Sequence, residues 1–231
     1  MFSYNLYNAT LITEYILQFI ICFASVYCVD KLLAPRKARW YFIHVCMNAA
    51  VTYFALPDVW FCITNPDKCF GEAQVLTTTL PWMIGTVGHI YHLVAFKDLR
   101  VDDYIHHLTM IPFAGLAGIM YMRKPGFNFG LFALTGLPGG IDYVLLILVK
   151  LGYINSLIEK QINVYIQTWL RMPLILFGGV LFYTELFKGH LSYWCLVGIG
   201  LSVWNGIFYM NDTSKNYYSK HYRVVEKEIT P

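Results

Sequence analysis

Apolar runs long enough to cross a bilayer recur along the chain, separated by short polar links. A membrane span takes about 20 mostly apolar residues. Seven stretches qualify, at roughly 11–29, 40–56, 75–96, 104–122, 127–149, 162–187 and 190–210. Backbone N–H and C=O groups find no partners in lipid, so each run is expected to be a helix. The pattern predicts an all-α polytopic membrane bundle of one domain, followed by a cytosolic tail over residues 211–231. No internal repeat or low-complexity segment interrupts it.

Composition agrees. The chain has 231 residues, of which 57% are hydrophobic and 13% charged, against about 45–50% and about 25% in soluble domains. The net charge of +3 is small, and no dense Lys/Arg run points to nucleic acid. Aromatic residues make up 17% of the chain, which is ordinary for membrane interfaces. The first ten residues carry no basic group, so the first run is expected to be a retained span. At the other end, VVEKEITP shows no lipidation or retrieval motif.

The distribution of basic residues gives a direction. With the N-terminus outside, the inside links and tail hold twelve: Lys31, Arg36, Lys37, Arg39, Lys97, Arg100, Lys150, Lys160, Lys215, Lys220, Arg223 and Lys227. The outside links hold four: Lys68, Arg123, Lys124 and Lys188. Positive charge stays on the cytosolic side, so the expectation is N-out, C-in. Asn8-Ala9-Thr10 is then a glycosylation acceptor pattern on the outside. Cys62 and Cys69 bracket an outside link, where an oxidising lumen would permit a disulfide. Cys22, Cys28, Cys46 and Cys195 fall within runs and read as small packing residues.

Chemistry concentrates between Gly88 and Met110, GHIYHLVAFKDLRVDDYIHHLTM. Four of the seven histidines lie here, His89 and His92 near the end of one run and His106 and His107 at the start of the next. Titratable groups at span ends carry a functional hypothesis by default. The short link from Lys97 to Asp103 predicts an antiparallel hairpin that brings His92 toward His106. His89 and His92 are three apart and share a helix face. His106 and His107, being adjacent, point about 100° apart. Asp103 can reach either of them and Asp102 can reach His106. A carboxylate that fixes a histidine tautomer is a common partner of a base or nucleophile.

Three readings of the cluster compete. A histidine can activate an amine or hydroxyl, or itself carry an acyl group. Imidazoles with a carboxylate also suit zinc or iron. Diiron lipid oxidases, however, draw on more histidines than this region offers, so no metal ligand and no cofactor are assigned. The third reading is structural, with polar residues capping helices in the headgroup layer.

Elsewhere, TGLPGGID at 135–142 places Pro138, Gly139 and Gly140 inside the fifth run, just before Asp142. The stretch reads either as a kink with a capping aspartate or as a break that turns Asp142 into a polar chamber. Arg171 lies within the sixth run and needs a partner. Asp142 is the first candidate, with Glu185 and the histidines behind it, and an ion pair is favoured over substrate binding. Glu14 reads as an interface residue, His44 as a hydrogen-bonded packing histidine, and His190 and His221 as loop and tail residues. Glycines at 115, 118, 178, 179, 198 and 200 would let helices approach closely, with a slot for an acyl chain as a minor alternative.

The stretch DDYIHHLTM resembles the centre of the TLC domain, the membrane domain of ceramide synthases and several lipid-homeostasis proteins. That family has a paired histidine at the start of a middle span after a short charged link. Its ceramide-synthase branch continues about thirty residues later with H-D-x-x-D-x-x-L-E. Here LPGGIDYVLLILVK stands in that place, and Asp142 and Leu145 match the D-x-x-L portion. The upstream H-D is absent, and Leu146 replaces the glutamate. The resemblance covers about residues 35–210. It implies His106 and His107 as a catalytic pair with Asp142 as supporting acid, and Asp103 or Asp142 orienting the base. His89, His92 and Arg171 are assigned to substrate binding from the residues alone.

The resemblance implies lipid acyltransfer, ceramide-synthase-like, from acyl-CoA as co-substrate to an amine or hydroxyl of a membrane lipid. The expected location is the endoplasmic reticulum or another endomembrane. The runner-up is a non-catalytic TLC protein that binds lipid or regulates membrane composition, which the incomplete acidic pattern favours. Fatty-acid elongases carry H-x-x-H-H, whereas position 103 here gives D-x-x-H-H. The last run, HLSYWCLVGIGLSVWNGIFYM, has no lysine for a retinal Schiff base.

Overall fold

A computed structural model describes residues 2–71, 77–99, 101–111, 124–191, 193 and 195–229. At 2–10, 102, 103, 110 and 227–229 only the backbone is described. Among these residues the fold is all-helical. Helix α1 (Phe2–Cys28) continues through a π-helical turn, Val29–Leu33. Then come α2 (Arg39–Thr64), α3 (Leu80–Ala95) and α4 (Val101–Met110). The long helices α5 (Pro125–Lys150) and α6 (Ser156–Phe187) follow, and α7 (Cys195–Ile229) ends the order.

Four helical segments are long and apolar enough to cross a membrane: Leu11–Leu33, Arg36–Thr64, Pro125–Lys150 and Ser156–Phe187. This is a membrane protein on helix length and composition. The fourth expected run, 104–122, falls partly on residues outside those described, as do Gly115 and Gly118. The glycosylation pattern at 8–10 lies where no side chain is described.

Helix boundaries follow local chemistry. Proline occupies the first turn of α3 (Pro81) and of α5 (Pro125), where a missing N–H costs nothing; Pro138 and Pro173 lie inside α5 and α6, each just after a π-helical turn. Asn155 caps α6, its side-chain oxygen accepting from Leu157 N at 2.8 Å. That cap starts α6 six residues before the expected 162. At the end of α5, Gly152 takes φ 82° and lets Tyr153 N donate to Leu148 O at 2.8 Å. α2 runs past Pro57 to Thr64, beyond the expected end at 56, because its last turns bury Asp58, Val59 and Cys62. The expected tail is helical to Ile229, and Lys220 Nζ donates to Ser156 Oγ.

TGLPGGID proves to be continuous helix. A π-helical turn, Phe132–Gly136, leads straight into Leu137–Lys150. Gly139 has a packing reason, since a Cβ there would lie 2.9 Å from Asn48 Nδ2. It lets α5 lie against α2, and Thr135 Oγ1 donates to Asn48 Oδ1 at 2.7 Å across that contact.

α2 is the axis of the bundle, packing against both α3 and α5. On one side α1 and α3 enclose a core of Cys22, Val26, Ile43, Val51, Trp82 and Val87. On the other, α5, α6 and α7 enclose Ala55, Phe129, Ile175, Phe182 and Cys195. α3 carries α4 against it, as the expected hairpin requires. Cys62 and Cys69 are free, fully buried thiols here, and Cys69 Sγ lies 3.6 Å from the carbonyls of Cys62 and Asn65.

Candidate functional site

Between the two halves of the bundle lies a polar cavity of about 260 Å³. One wall is made of rings: Trp40 and His44 from α2, His89 and His92 from α3, His106 and His107 from α4. Tyr143 of α5 stacks on His44 and joins that wall, and the lining also includes Asp142 from α5, Gln167 and Arg171 from α6, and Asn205 and Tyr209 from α7. Of the residues singled out in the sequence, His89, His92, His106, His107, Asp142 and Arg171 meet around this one space. Asp103 lies in α4, and its side chain, like that of Asp102, is outside those described.

The ring wall has two parts. Tyr143, His44, His92 and Trp40 form a stacked column, with centroid separations of 4.2 Å, 4.4 Å and 4.4 Å in that order. His44 Nδ1 lies 2.8 Å from Trp40 O. A carbonyl only accepts, so Nδ1 carries the proton and Nε2 is the basic nitrogen. This fixes the tautomer with backbone, one helical turn away, as a hydrogen-bonded packing histidine would have it. His92 is 2% exposed, and neither ring nitrogen has a hydrogen-bond partner among the described residues.

The second part is angular. His89 meets His106 at 66° and His107 at 58°, with centroids 5.2 Å and 4.9 Å away. His89 Nδ1 and His107 Nδ1 approach to 2.7 Å, so one must donate to the other. The hairpin therefore pairs His89 with both α4 histidines and brings His92 to His107, at 5.2 Å between centroids.

The rest of the lining corrects the partner expected for Arg171. Asp142 Oδ1 accepts from Asn163 Nδ2 at 2.6 Å, and Asn163 Oδ1 accepts from Gln167 Nε2 at 3.3 Å. Gln167 Oε1 accepts from Arg171 at 3.1 Å. The guanidinium also donates to Leu134 O at 2.7 Å and Asn205 Oδ1 at 2.8 Å, and lies 5.1 Å from the Tyr209 ring centroid. Two amides thus stand between cation and carboxylate. Asn163 and Arg171 are eight residues apart on α6, about 12 Å of helix rise, so the carboxylate that meets one does not meet the other. Glu185 is engaged elsewhere, accepting from Lys188 at 2.6 Å and pairing with His190 Nδ1 at 2.8 Å. His190 is accordingly more than a loop residue. Asp142 lies well inside its helix, which removes the capping alternative.

Sequence reasoning missed His44, Tyr143, Asn163, Gln167 and Asn205. One signal was present: 163, 167 and 171 are polar at four-residue intervals in an apolar run, which places them on one helix face. The stacked column had no such signal, because it depends on how α2 meets α3 and α5.

A second cavity, apolar and about 100 Å³, lies on the far side of α5. Phe70, Phe182, Gly178, Gly179 and Gly198 are among its walls. Leu131 and Leu134 line both cavities, so two leucines of one helix stand between the polar chamber and the apolar slot. Compared with protein-family models, curated proteins and solved structures, the chain matches none.

Proposed function

We propose that this membrane protein is a TLC-type lipid acyltransferase that moves an acyl group from acyl-CoA to an amine or hydroxyl of a membrane lipid. The observation that carries the reading is the chamber itself. Imidazoles, a carboxylate and a guanidinium share one space, and an apolar slot adjoins it behind Leu131 and Leu134. Acyl transfer needs that combination: a base at the reacting group, polar contacts for developing charge, and apolar room for a chain.

The reading takes seven spans with the N-terminus outside and the tail inside. The basic residues around the α3–α4 link then face the cytosol, where acyl-CoA is found, and an endomembrane such as the endoplasmic reticulum is the setting. His106 or His107 takes the proton from the acceptor N–H or O–H. The acceptor attacks the thioester carbonyl, the C–S bond breaks, and CoA leaves as a thiol after taking a proton. Asp142, held by Asn163, supplies the chamber's negative charge, and Arg171 supplies its positive charge.

The test uses purified full-length protein in detergent with a mixed acyl-CoA pool and sphingoid-base acceptors. Free CoA should appear with native protein, and His106→Ala or His107→Ala should slow it by about 10²–10⁴-fold. Intact mass before and after acyl-CoA shows whether an imidazole itself carries the acyl group. No CoA release with any acceptor overturns the reading in favour of lipid binding or regulation of membrane composition.

A further inference from the structure

We propose that His89, His106 and His107 together bind one zinc ion, with an open coordination position facing the chamber. The three residues each offer a ring nitrogen, and these atoms all lie within 4.8 Å of one another. The sequence spacing assigned no metal because it did not place His89 against the α4 pair.

Ring geometry separates this trio from the other histidines. His44 and His92 lie face to face, at 15° and 4.4 Å. The trio does not stack. His89–His106, His89–His107 and His106–His107 meet at 66°, 58° and 63°, and a ring nitrogen of each lies within 4.8 Å of the others. Convergence of ring nitrogens is what a coordination sphere requires.

Distances fit after small side-chain rotations. Zinc–imidazole bonds of about 2.0–2.1 Å in a tetrahedron set nitrogens about 3.4 Å apart. The His89–His107 pair at 2.7 Å must open slightly, and the wider separations must close. The donor of that pair moves its hydrogen to its other ring nitrogen when Nδ1 binds the metal, a tautomer change with no net proton release. All-imidazole donors suit zinc. His107 is buried and the other two are half-buried, which shelters the ion. Three protein ligands with a fourth position on a cavity is the arrangement of a reactive zinc, whereas structural sites close all four.

Zinc at this trio goes beyond acyl transfer, since metal retention is read without substrate. It does constrain the chemistry. A nitrogen bound to zinc takes neither a proton nor an acyl group, so His106 or His107 serves as base only in metal-free protein, and in loaded protein that role passes to His44 Nε2 or His92.

Full-length protein without a polyhistidine tag, purified without chelator, is assayed for metal by mass spectrometry. Stoichiometric zinc is expected in the native chain and in His221→Ala, whose histidine sits on the distal part of α7. His89→Ala, His106→Ala and His107→Ala should each bind zinc at least about a hundredfold more weakly. Cobalt(II) added to metal-stripped native protein should give the intense visible bands of a tetrahedral site, a measurement that needs no variant to fold. A colourless cobalt-treated protein, or zinc kept at the native level by all three folded variants, overturns the proposal. Zinc binding without CoA release upholds the site and sinks the acyl-transfer reading; CoA release from metal-free, cobalt-silent protein does the reverse.

Discussion

Two of the polar clusters buried among the described residues, one around Asp58 and one around the chamber, are built on opposite plans. Around Asp58 the groups turn inward. Both carboxylate oxygens accept from Thr77 N at 3.2 Å, the Thr77 hydroxyl donates to Oδ1, and Asn128 Nδ2 donates to Oδ2 at 2.6 Å. Asn128 also donates to Thr78 O at 2.8 Å. None of these residues lines the polar chamber or the apolar slot. The residues lining the chamber instead leave donor and acceptor capacity unspent: neither ring nitrogen of His92, and not Arg171 Nε, has a partner among the described residues. Burying polar atoms costs free energy in both places. In the first, every group the carboxylate gathers is paired and only Asn128 Oδ1 is left over, so the Asp58 knot reads as a fastener and the chamber as a place for something else to bind.

The largest expected effect tests the fastener. Asp58→Ala strands the Thr77 N–H, the Thr77 hydroxyl and the Asn128 amide. At about 1–3 kcal/mol for each stranded group, the total loss is about 4 kcal/mol. Thermal unfolding in detergent should show it as a large fall in midpoint, with CoA release per folded molecule unchanged. A variant as stable as the native chain, but inactive, would reverse the two assignments.

Next in size is Arg171→Lys. Lysine keeps the charge but loses the planar fork that serves Gln167, Leu134 O and Asn205 together. Losing one or two charge-assisted hydrogen bonds costs about 2 kcal/mol. If Arg171 only ties α5, α6 and α7 together, the loss appears in stability alone. If it also meets substrate, KM for acyl-CoA rises in the folded fraction, and steady-state kinetics separates the two.

How far the sequence reached differs between these regions for a physical reason. The helical class, the α3–α4 hairpin and the membership of six chamber residues came from apolar run length and from histidines being out of place in lipid. Those are local properties. The Asp58 knot joins α2, the segment at 77–78 and α5, and nothing near Asp58 in sequence distinguishes it from an interface aspartate. The partner of Arg171 failed similarly: opposite charge named Asp142, whereas helix rise gave Asp142 to Asn163 and left the arginine to amides. His44 read as a packing histidine because its Nδ1 contact is local, while the stack that brings it to the chamber is tertiary. The convergence of His89 on His106 and His107 needed the rotation of α3 against α4, which hairpin length alone does not set.

The smallest stability effect gives the sharpest contrast, at His92. It is buried, and its ring lies 4.4 Å from both Trp40 and His44. His92→Phe keeps an aromatic ring in that stack and removes two nitrogens that bond no described group. Burying unsatisfied polar atoms is unfavourable, so the variant should be as stable as the native chain or up to about 1 kcal/mol more stable. The adjoining cavity accepts the slightly larger ring without overpacking. A merely structural histidine would leave CoA release untouched. An imidazole that handles a proton in the chamber predicts a fall of about 10² or more in a protein that unfolds no earlier. Stability lost in His92→Phe would mean that its nitrogens are committed after all, and the chamber would then resemble the Asp58 knot more closely than its open geometry indicates.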